Sequence, residues 1–371
     1  MKKKAGKAKR SFLKWIMLLI NIVAILALIM AYLANYINPA LWSLPALFGL
    51  AYPYILILNL IFVLLWLIFR KYYFLGSLLI IVAGWGFMSR FYQFNSGKAA
   101  ADDNSFKLLS FNVHNLTENN SKKLSDQKNK IFQYVQDQKA DITCLQEFFS
   151  FGKNYYYPLV FLKEQLGAEN YYFQSYFKPS RSKIVGMAIF SELPRSDQGI
   201  LRHDSTRKFG IWADFVFRED TFRVYNIHLE SLYLNRQDYD LVTGERIRTD
   251  KNRSFLSYSL HIMNKLRKAY RRRSMQVEVV RAHIGNCPYP VVICGDFNDT
   301  PLSYAYHQLS KNLKDAFIES GSGAGKTFRS KLPFFRIDYI LHDPDFQSSD
   351  FQKEQIEISD HFPVSCKLSF R

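Results

Sequence analysis

The chain has 371 residues, a formal net charge of +17 and 48% hydrophobic side chains, which is enough for one large domain and an additional segment. Eleven Lys or Arg and no Asp or Glu occur in residues 1–98, whereas the remaining residues carry 38 basic and 32 acidic side chains. The positive charge therefore belongs mainly to the N-terminal segment. Because the charge is distributed unevenly, the net charge of +17 does not indicate that the whole protein binds nucleic acid.

The N-terminal segment contains three apolar stretches that predict transmembrane helices, because about 20 apolar residues cross a bilayer. They are Phe12–Tyr36, Pro45–Phe69 and Tyr72–Met88, of which the third is the shortest and contains three glycines. A cleaved signal peptide is the competing interpretation of the first stretch. Its apolar region is too long for that, and two more stretches follow. We therefore expect a membrane anchor over residues 1–90.

The cations that flank these stretches predict the orientation of an integral protein of the inner or plasma membrane. Seven lie at the start of the first stretch, six of them before Phe12 and the seventh at Lys14. Arg70 and Lys71 separate the second stretch from the third, whereas the loop Asn35–Ser43 carries no charge. Because Lys and Arg concentrate on the cytoplasmic side, the N-terminus is expected in the cytoplasm. Three crossings would place the rest of the chain outside the cytoplasm. If the third stretch does not span, the rest lies inside.

Residues 91–104 are expected to form a linker, because the run Asn95–Ser105 is small and polar. Beyond it, helices are predicted at Ser121–Gln138 and Ser254–Ile284. Alternating or continuous apolar runs predict nine strands: Lys107–Val113, Ile142–Gln146, Tyr171–Phe177, Val185–Phe190, Trp212–Phe217, Phe222–His228, Val291–Cys294, Ile337–Leu341 and Val364–Phe370. Several strands follow one another without a helix, so the expected class is α/β (α+β), with packed mixed sheets and outer helices.

Three other segments have more than one interpretation. The polar stretch Glu230–Asn252 is either a functional lid or a mobile insertion. The cationic run from Lys265 to Arg273 is either a binding stripe for an anionic ligand or a solvated helix face. The run Gly321–Thr327 resembles a phosphate-binding loop, but Ser320 occupies the position of the first required glycine, which favours a turn.

The four cysteines do not have the spacing of a zinc site or of a disulfide framework. Three of them, Cys144, Cys294 and Cys366, fall inside predicted strands. Cysteine in such a position behaves as a small buried hydrophobic residue. The sequence therefore predicts structural thiols.

The clearest functional motif follows the apolar run Val291–Cys294. Gly295 ends this run, and Asp296 and Asn298 come directly after it. Residues two apart in an extended chain point to the same side, so the carboxylate and the carboxamide can converge on one ligand. Five further segments combine a strand with ligand-type side chains in the same way: Leu108–Asn112, Ile142–Glu147, Val224–His228, Arg336–Ile340 and Ser359–Pro363.

These six segments, in this order, resemble the endonuclease/exonuclease/phosphatase superfamily, which has the deoxyribonuclease I-like fold. The resemblance covers residues 105–371 and none of the membrane segment. It implies a catalytic domain built as a four-layer α/β/β/α sandwich. It also implies a metal-dependent phosphoester hydrolase that uses Mg²⁺, with Mn²⁺ as a substitute.

The resemblance assigns a role to each candidate residue. Glu147 is the principal metal ligand, with Asn112 and Asp360 beside it. Asp296 orients or deprotonates the attacking water, and Asn298 holds that water or a phosphate oxygen. His361 faces the phosphate, and Asp338 fixes the tautomer of His361. His228 supplies the second histidine contact to the phosphate.

The expected substrate is a phosphoester, either in a nucleic acid or in a phospholipid headgroup, and the sequence identifies no protein partner. A phosphodiesterase or endonuclease is the first expectation, because nucleases are common in the family. A headgroup hydrolase of the sphingomyelinase or inositol-phosphate phosphatase kind is the alternative, because an anchor confines the site near lipid. An inactive binding module is a further alternative, which the complete set of carboxylates and histidines disfavours.

Overall fold

A computed structural model describes residues 2–94, 104–114, 121–151, 157–180, 183–203, 207–232, 255–330 and 334–371. The helices are α1 (Lys2–Leu33), α2 (Leu44–Leu50), α3 (Tyr52–Ile68), α4 (Phe74–Ala83), α5 (Trp85–Met88), α6 (Ser121–Asp137), α7 (Tyr157–Gln165), α8 (Phe255–Gly285), α9 (Tyr304–Leu309) and α10 (Ala316–Ser320). The strands are β1 (Tyr92–Gln93), β2 (Ser105–Asn112), β3 (Ile142–Phe151), β4 (Asn170–Ser180), β5 (Lys183–Ser191), β6 (Arg195–His203), β7 (Arg207–Phe217), β8 (Asp220–His228), β9 (Val291–Asp296), β10 (Lys314–Asp315), β11 (Gly323–Ala324), β12 (Asp338–His342), β13 (Phe346–Lys353) and β14 (Val364–Phe370).

Two six-stranded mixed sheets form the centre of the fold, as predicted. Their strand orders are β13-β14-β2-β3-β5-β4 and β10-β12-β9-β8-β7-β6. Each contains one parallel pair, β2 with β3 and β8 with β9. Parallel neighbours end at the same edge of a sheet. The register therefore brings Asn112 opposite Gln146 in one sheet and His228 opposite Asp296 in the other.

The two sheets pack face to face through alternating apolar residues. The shared core includes Leu108, Ile142 and Cys144 from the first sheet and Val224 and Cys294 from the second, all fully buried. Helices α6 and α7 cover the outer face of the first sheet, and α8 and α9 cover that of the second. The strands bury both faces, and this explains the continuous apolar runs seen in the sequence. All four cysteines are free, and Cys144, Cys294 and Cys366 lie in this core as predicted.

Among the described elements of eight or more residues, three were not predicted from the sequence. Strand β6 is the edge strand of its sheet, and most of its side chains are exposed or half-buried, so it lacks the apolar alternation of an inner strand. Strand β13 is also an edge strand, and its register against β14 shifts between Ser349 and Gln352. Helix α7 has only nine residues and includes Pro158. Edge strands and short helices bury too few residues to give a clear apolar period.

The expectation of three transmembrane helices is wrong in its number. Among the described residues, one helix is long and apolar enough to cross a membrane, over Phe12–Leu33. The second stretch divides into α2 and α3, which meet at an angle of 71°. The third forms α4, whose ten residues extend only about 15 Å at 1.5 Å per residue. Pro45 and Pro53 begin the two halves of the second stretch, and Gly84 ends α4.

The N-terminal helices pack against the two-sheet domain through the residues that follow α1 and α5. Arg90 donates to Asn35 Oδ1 at 2.9 Å and to the carbonyl of Pro301 at 3.1 Å. Leu302 is fully buried in a cluster with residues of α1, α3 and α4. Strand β1, inside the expected linker, pairs with β11. The N-terminal helices and the two-sheet domain therefore share an interface, and residues 95–103 of the expected linker lie outside the described part.

Candidate active site

Asp296 is the centre of the candidate site. Its Oδ2 atom lies 3.0 Å from Asn112 Nδ2, which donates to it, 3.6 Å from His228 Nε2 and 3.7 Å from His361 Nε2. These residues lie at or near the ends of β2, β8, β9 and β14, which come from both sheets. Packing of the two sheets thus brings together side chains that are up to 249 positions apart in the sequence.

Gly295 and Asn298 fix the orientation of the Asp296 carboxylate. Gly295 has a φ of +133°, and a Cβ atom there would lie 2.0 Å from the carbonyl oxygen of Ile227, so only glycine fits. The backbone N–H of Asn298 donates to Asp296 Oδ1 at 2.7 Å, and its side-chain amide donates to Oδ2 and to the carbonyl of Leu229, both at 3.0 Å. The amide of Asn298 therefore holds Asp296, as well as lining the pocket.

His361 and Asp338 form a buried pair. His361 Nδ1 lies 3.0 and 3.1 Å from the two oxygens of Asp338, so the ring presents Nε2 towards Asp296. Burial alone disfavours the charged ring, but the carboxylates of Asp338 and Asp296 outweigh it and raise the pKa of His361 to about 10. The ring is therefore an imidazolium at neutral pH. Thr327 Oγ1 accepts from the backbone N–H of Asp338 at 3.0 Å and so positions the pair.

The buried environment of Asp296 favours the protonated carboxyl group more than water does for an exposed aspartate. Burial raises the pKa of Asp296 to about 6, against the opposing effect of the positive His361 ring. A carboxylate with a pKa near 6 can accept a proton at neutral pH and release it again, as a general base requires.

The three predicted metal ligands have different positions. Glu147 sits at a bulge of β3, with a φ of 51°, and its Oε1 atom lies 3.5 Å from His228 Nε2. Asp360 faces the same side of the pocket, because both carboxylates approach His114. Asn112 is turned towards Asp296, and its Oδ1 atom accepts from the backbone N–H of His114 at 3.0 Å.

His114 was missed by the sequence analysis. Its Nδ1 atom lies 3.3 Å from Asp360 Oδ1 and 3.8 Å from Glu147 Oε2, and its φ is 48°. A left-handed conformation of a non-glycine residue is uncommon and often marks a functional site. The spacing Asn112-Val113-His114 was the available signal, because it repeats the two-residue interval of Asp296 and Asn298.

The residues present fit a hard divalent cation such as Mg²⁺, which prefers oxygen ligands. Glu147 and Asp360 supply carboxylate oxygens on one side of the pocket. His228 Nε2 is buried and has no hydrogen-bond partner among the described residues, although two carboxylates lie within 3.6 Å of it. A second group, Asp296, Asp338 and His361, has ligand atoms within 4.8 Å of one another. Both oxygens of Asp338 face His361, so this group is better suited to proton transfer.

Buried arginines near the site have their own partners. Arg336 donates to Asp315 at 2.5 Å, so it does not compete for Asp338. Arg273, at the end of the cationic run of α8, is 1% exposed and lies 2.9 Å from Asp299 Oδ2. The preceding cations Arg267, Lys268, Arg271 and Arg272 are exposed. The run is therefore mainly a solvated face, and only its last member reaches the pocket.

The candidate site has a pocket of about 820 Å³. Glu147, His228, Asp296 and His361 line it, together with apolar side chains of α8 and with Leu50 of α2. The predicted loop Glu230–Asn252 borders this pocket at its first residues, and residues 233–254 lie outside the described part. The Gly321–Thr327 run is not followed by a helix, and Gly325 instead donates to the carbonyl of Phe91, at the start of the expected linker.

The comparisons with known proteins agree with the fold. The endonuclease/exonuclease/phosphatase family matches residues 109–361, and a domain family of unknown function matches residues 14–91. No curated protein matches the chain. Similar solved structures include the human nocturnin catalytic domain with bound sulfate anion, with a TM-score of 0.52, 17% identity and coverage of 72% of this chain and 95% of that one.

Two bacterial structures are similar to the same degree. A family protein from Leptotrichia buccalis has a TM-score of 0.51 and 15% identity, covering 71% of this chain and 100% of that one. A functionally unknown protein from Enterococcus faecalis has a TM-score of 0.50 and 18% identity, with the same coverage. Identities this low show a shared fold, whereas the family match extends over more than half of the chain. The chain belongs to the endonuclease/exonuclease/phosphatase family.

Proposed function

We propose that this protein is a divalent-metal-dependent phosphodiesterase that uses an activated water. The observation that carries the proposal is the position of Asp296, within 3.7 Å of Asn112, His228 and His361 in one pocket. Phosphoester hydrolysis needs a base for water, positive charge for the phosphoryl oxygens and a proton for the leaving oxygen. The side chains around Asp296 supply each of these.

Glu147, with Asp360 and Asn112, would hold Mg²⁺ or, as a substitute, Mn²⁺. When bound, the ion would neutralise charge that develops on the phosphoryl oxygens. The bulge at Glu147 supports this role, because bulges next to active sites commonly re-aim a side chain.

Asp296 would take the proton of the attacking water. Asn298 and Asn112 hold the Asp296 carboxylate in one orientation, because they donate hydrogen bonds of 2.7 to 3.0 Å to its oxygens. This preorganisation lets the carboxylate act without a change of rotamer. The raised pKa of Asp296 is suited to the transfer.

His361 would stabilise the phosphoryl oxygens as an imidazolium and serve as the proton source for the leaving oxygen. Asp338 holds its Nδ1, which fixes Nε2 as the atom that faces the pocket. His228, whose Nε2 also points into the pocket, would give the second contact to the phosphate.

The test is hydrolysis of bis(p-nitrophenyl) phosphate by the full chain in detergent. We expect turnover that requires Mg²⁺ or Mn²⁺ and is lost on chelation. Glu147→Ala and His361→Ala should each lower kcat by at least about 100-fold, the scale of one general acid–base group. Glu164→Ala is the control, because this glutamate of α7 is exposed and outside the pocket. Activity that survives both substitutions, or that ignores chelation, contradicts the proposal.

The N-terminal helices would anchor the enzyme in a bilayer, with α1 crossing it and α3 and α4 packed beside α1 in the apolar layer. Their outward surface is strongly apolar: Leu64 is 60% exposed, Leu79 is 68% and Trp85 is 62%. Their interior is polar, because Asn21 donates to Ser77 Oγ at 2.6 Å and Ser77 donates to Asn59 Oδ1 at 3.0 Å. An apolar exterior over a hydrogen-bonded interior is typical of helices in lipid.

The orientation follows from the two ends of α1. Its first residues are rich in Lys and Arg, and the residues after its last turn contact the catalytic domain, because Asn38 donates to Glu278 Oε1 of α8 at 3.1 Å. If the cationic end faces the cytoplasm, the catalytic domain lies on the opposite side. Alkaline phosphatase fused after Arg371 in a bacterial host should be active, and a fusion truncated after Lys9 should be inactive. The opposite pattern contradicts this orientation.

A further inference from the structure

The catalytic pocket is built from both the catalytic domain and the anchor. Leu50, the last residue of α2, lines the same pocket as Glu147 and His361. We infer that the substrate is a membrane phospholipid, whose acyl chain lies against this anchor-derived wall while its phosphodiester reaches Asp296. The inference rests on the proposed phosphodiesterase function and names the substrate class of that site.

Tight contacts hold α2 against the catalytic domain, beside the pocket. A Cβ atom on Gly49 would lie 2.4 Å from the carbonyl oxygen of Leu302, so the backbones of α2 and of the segment after β9 are in direct contact. Arg267 of α8 donates to Ser43 Oγ, the residue before α2, at 3.1 Å. Leu50 is thus held by contacts on both sides and forms a fixed part of the pocket.

Part of the pocket lining is aliphatic. Ile262 and Leu266 lie four residues apart on α8 and so share one helix face, which lines the pocket together with Leu50 and Leu232. Burial of apolar ligand surface against aliphatic side chains is favourable because it removes that surface from water. A pocket lined by both charged and aliphatic side chains is complementary to an amphiphile.

The cations of the pocket are not arranged for a polynucleotide. Lys208 and Arg273 are the lysine and arginine among the described lining residues, and each is engaged, Lys208 with Gln174 Oε1 at 2.9 Å and Arg273 with Asp299 at 2.9 Å. Nucleic-acid binding depends on several Lys or Arg contacts to successive phosphates. Exposed apolar side chains instead occur at the start of α2, where Trp42 is 46% exposed and Leu44 is 42% exposed.

The reaction is a hydrolysis. The oxygen of water forms a bond to phosphorus, and the bond from phosphorus to one ester oxygen breaks. Asp296 takes one proton of the water, and His361 gives a proton to the leaving alcohol. A phosphodiester and water thus become a phosphomonoester and an alcohol, with no other reactant.

The experiment compares a lipid with a soluble diester, using the full chain in nanodiscs with Mg²⁺. The lipid probes are dioleoyl phosphatidylglycerol, phosphatidylinositol and sphingomyelin, and the soluble probes are bis(p-nitrophenyl) phosphate and plasmid DNA. We expect at least one lipid to be cleaved with a higher kcat/KM than either soluble probe. Leu50→Gln should lower kcat/KM for that lipid about tenfold, the scale of a lost apolar contact, and should lower it by a clearly smaller factor for bis(p-nitrophenyl) phosphate, which has no acyl chain.

Matched controls separate the pocket from general effects. Leu41→Gln alters another leucine of the anchor, which is 87% exposed and outside the pocket, and should leave both activities unchanged. Leu266→Gln should repeat the effect of Leu50→Gln, and Leu260→Gln, on the exposed part of α8, should not. Thermal unfolding reports whether each variant is folded.

Three results overturn the inference. The first is a preference for DNA or for the soluble diester over every lipid, with metal-dependent activity retained, and this leaves the proposed phosphodiesterase intact. The second is an equal loss on lipid and soluble diester in both Leu50→Gln and Leu266→Gln. The third is no hydrolysis of any probe with metal, and this result also removes the proposed function.

Discussion

His361 Nδ1 lies 3.0 Å from Asp338 Oδ2, both side chains are buried, and His361 lines the candidate active-site pocket. This pair fixes which nitrogen of His361 faces the substrate, and it holds the ring in its charged form. Arg336 does not compete for Asp338, because it is paired with Asp315. Asp338 is therefore committed to His361.

Replacing Asp338 with Asn should lower kcat by about 100- to 10,000-fold, the range found for disturbing a general acid–base group, while the protein remains folded. The neutral amide neither stabilises the imidazolium nor fixes its tautomer. Steady-state kinetics on bis(p-nitrophenyl) phosphate measure the change. Asp345→Asn, in an exposed turn, is the control. A kcat for Asp338→Asn within threefold of the original would show that the pair is only structural.

His114 should contribute to metal affinity, because its Nδ1 atom contacts the carboxylates of both Asp360 and Glu147. Outer partners of metal ligands typically contribute 10- to 100-fold to affinity, so His114→Ala should raise the half-saturating Mg²⁺ concentration by about tenfold or more. Activity measured over a range of Mg²⁺ concentrations tests this. His261→Ala, an exposed histidine of α8, should leave the titration unchanged. An unchanged Mg²⁺ requirement in His114→Ala would assign this histidine to another role.

Gly295→Ala should be strongly destabilising, because the added methyl group would lie 2.0 Å from the carbonyl oxygen of Ile227. The φ of +133° also strains any L-residue, and we expect a loss of about 3 kcal/mol or more in the free energy of unfolding. Chemical denaturation measures this loss. Gly285→Ala is the matched control, because nothing lies within 4 Å of its added Cβ. Equal stability of the two variants would contradict the close approach of β8 and β9.

Glu319 should make the protein sensitive to acid. Burial alone would raise its pKa, but the His342 side chain at 2.9 Å and the Ser348 backbone N–H outweigh it and lower the pKa of Glu319 to about 2. A lowered folded-state pKa stabilises the protein above the unfolded value of 4.5, and this stabilisation is lost as the pH falls towards 2.

The difference in Tm between the wild type and Glu319→Gln should therefore be largest above pH 4.5 and should shrink as the pH falls from 4.5 to 2. Other carboxylates titrate in both proteins and cancel in the difference. Glu357→Gln is the control, because the Glu357 side chain is 84% exposed. A difference that stays constant over this pH range would exclude the contact with His342 as its cause.

The sequence by itself determined the sheet core and indicated a candidate ligand site. Asp296 and Asn298 sit two apart after an apolar run, and this local pattern needs no tertiary knowledge to indicate a ligand site. The apolar runs predicted the two packed sheets because inner strands bury both faces. The edge strands β6 and β13 escaped prediction because half of their surface faces solvent.

The tertiary structure alone decided which residues meet. His114 became part of the site because the Glu147 bulge and the loop before β14 bring two carboxylates to it. Leu50 entered the catalytic pocket through the docking of α2 on α8, a contact between segments more than 200 residues apart. Such contacts depend on the packing of whole elements, and no local pattern of residues records them.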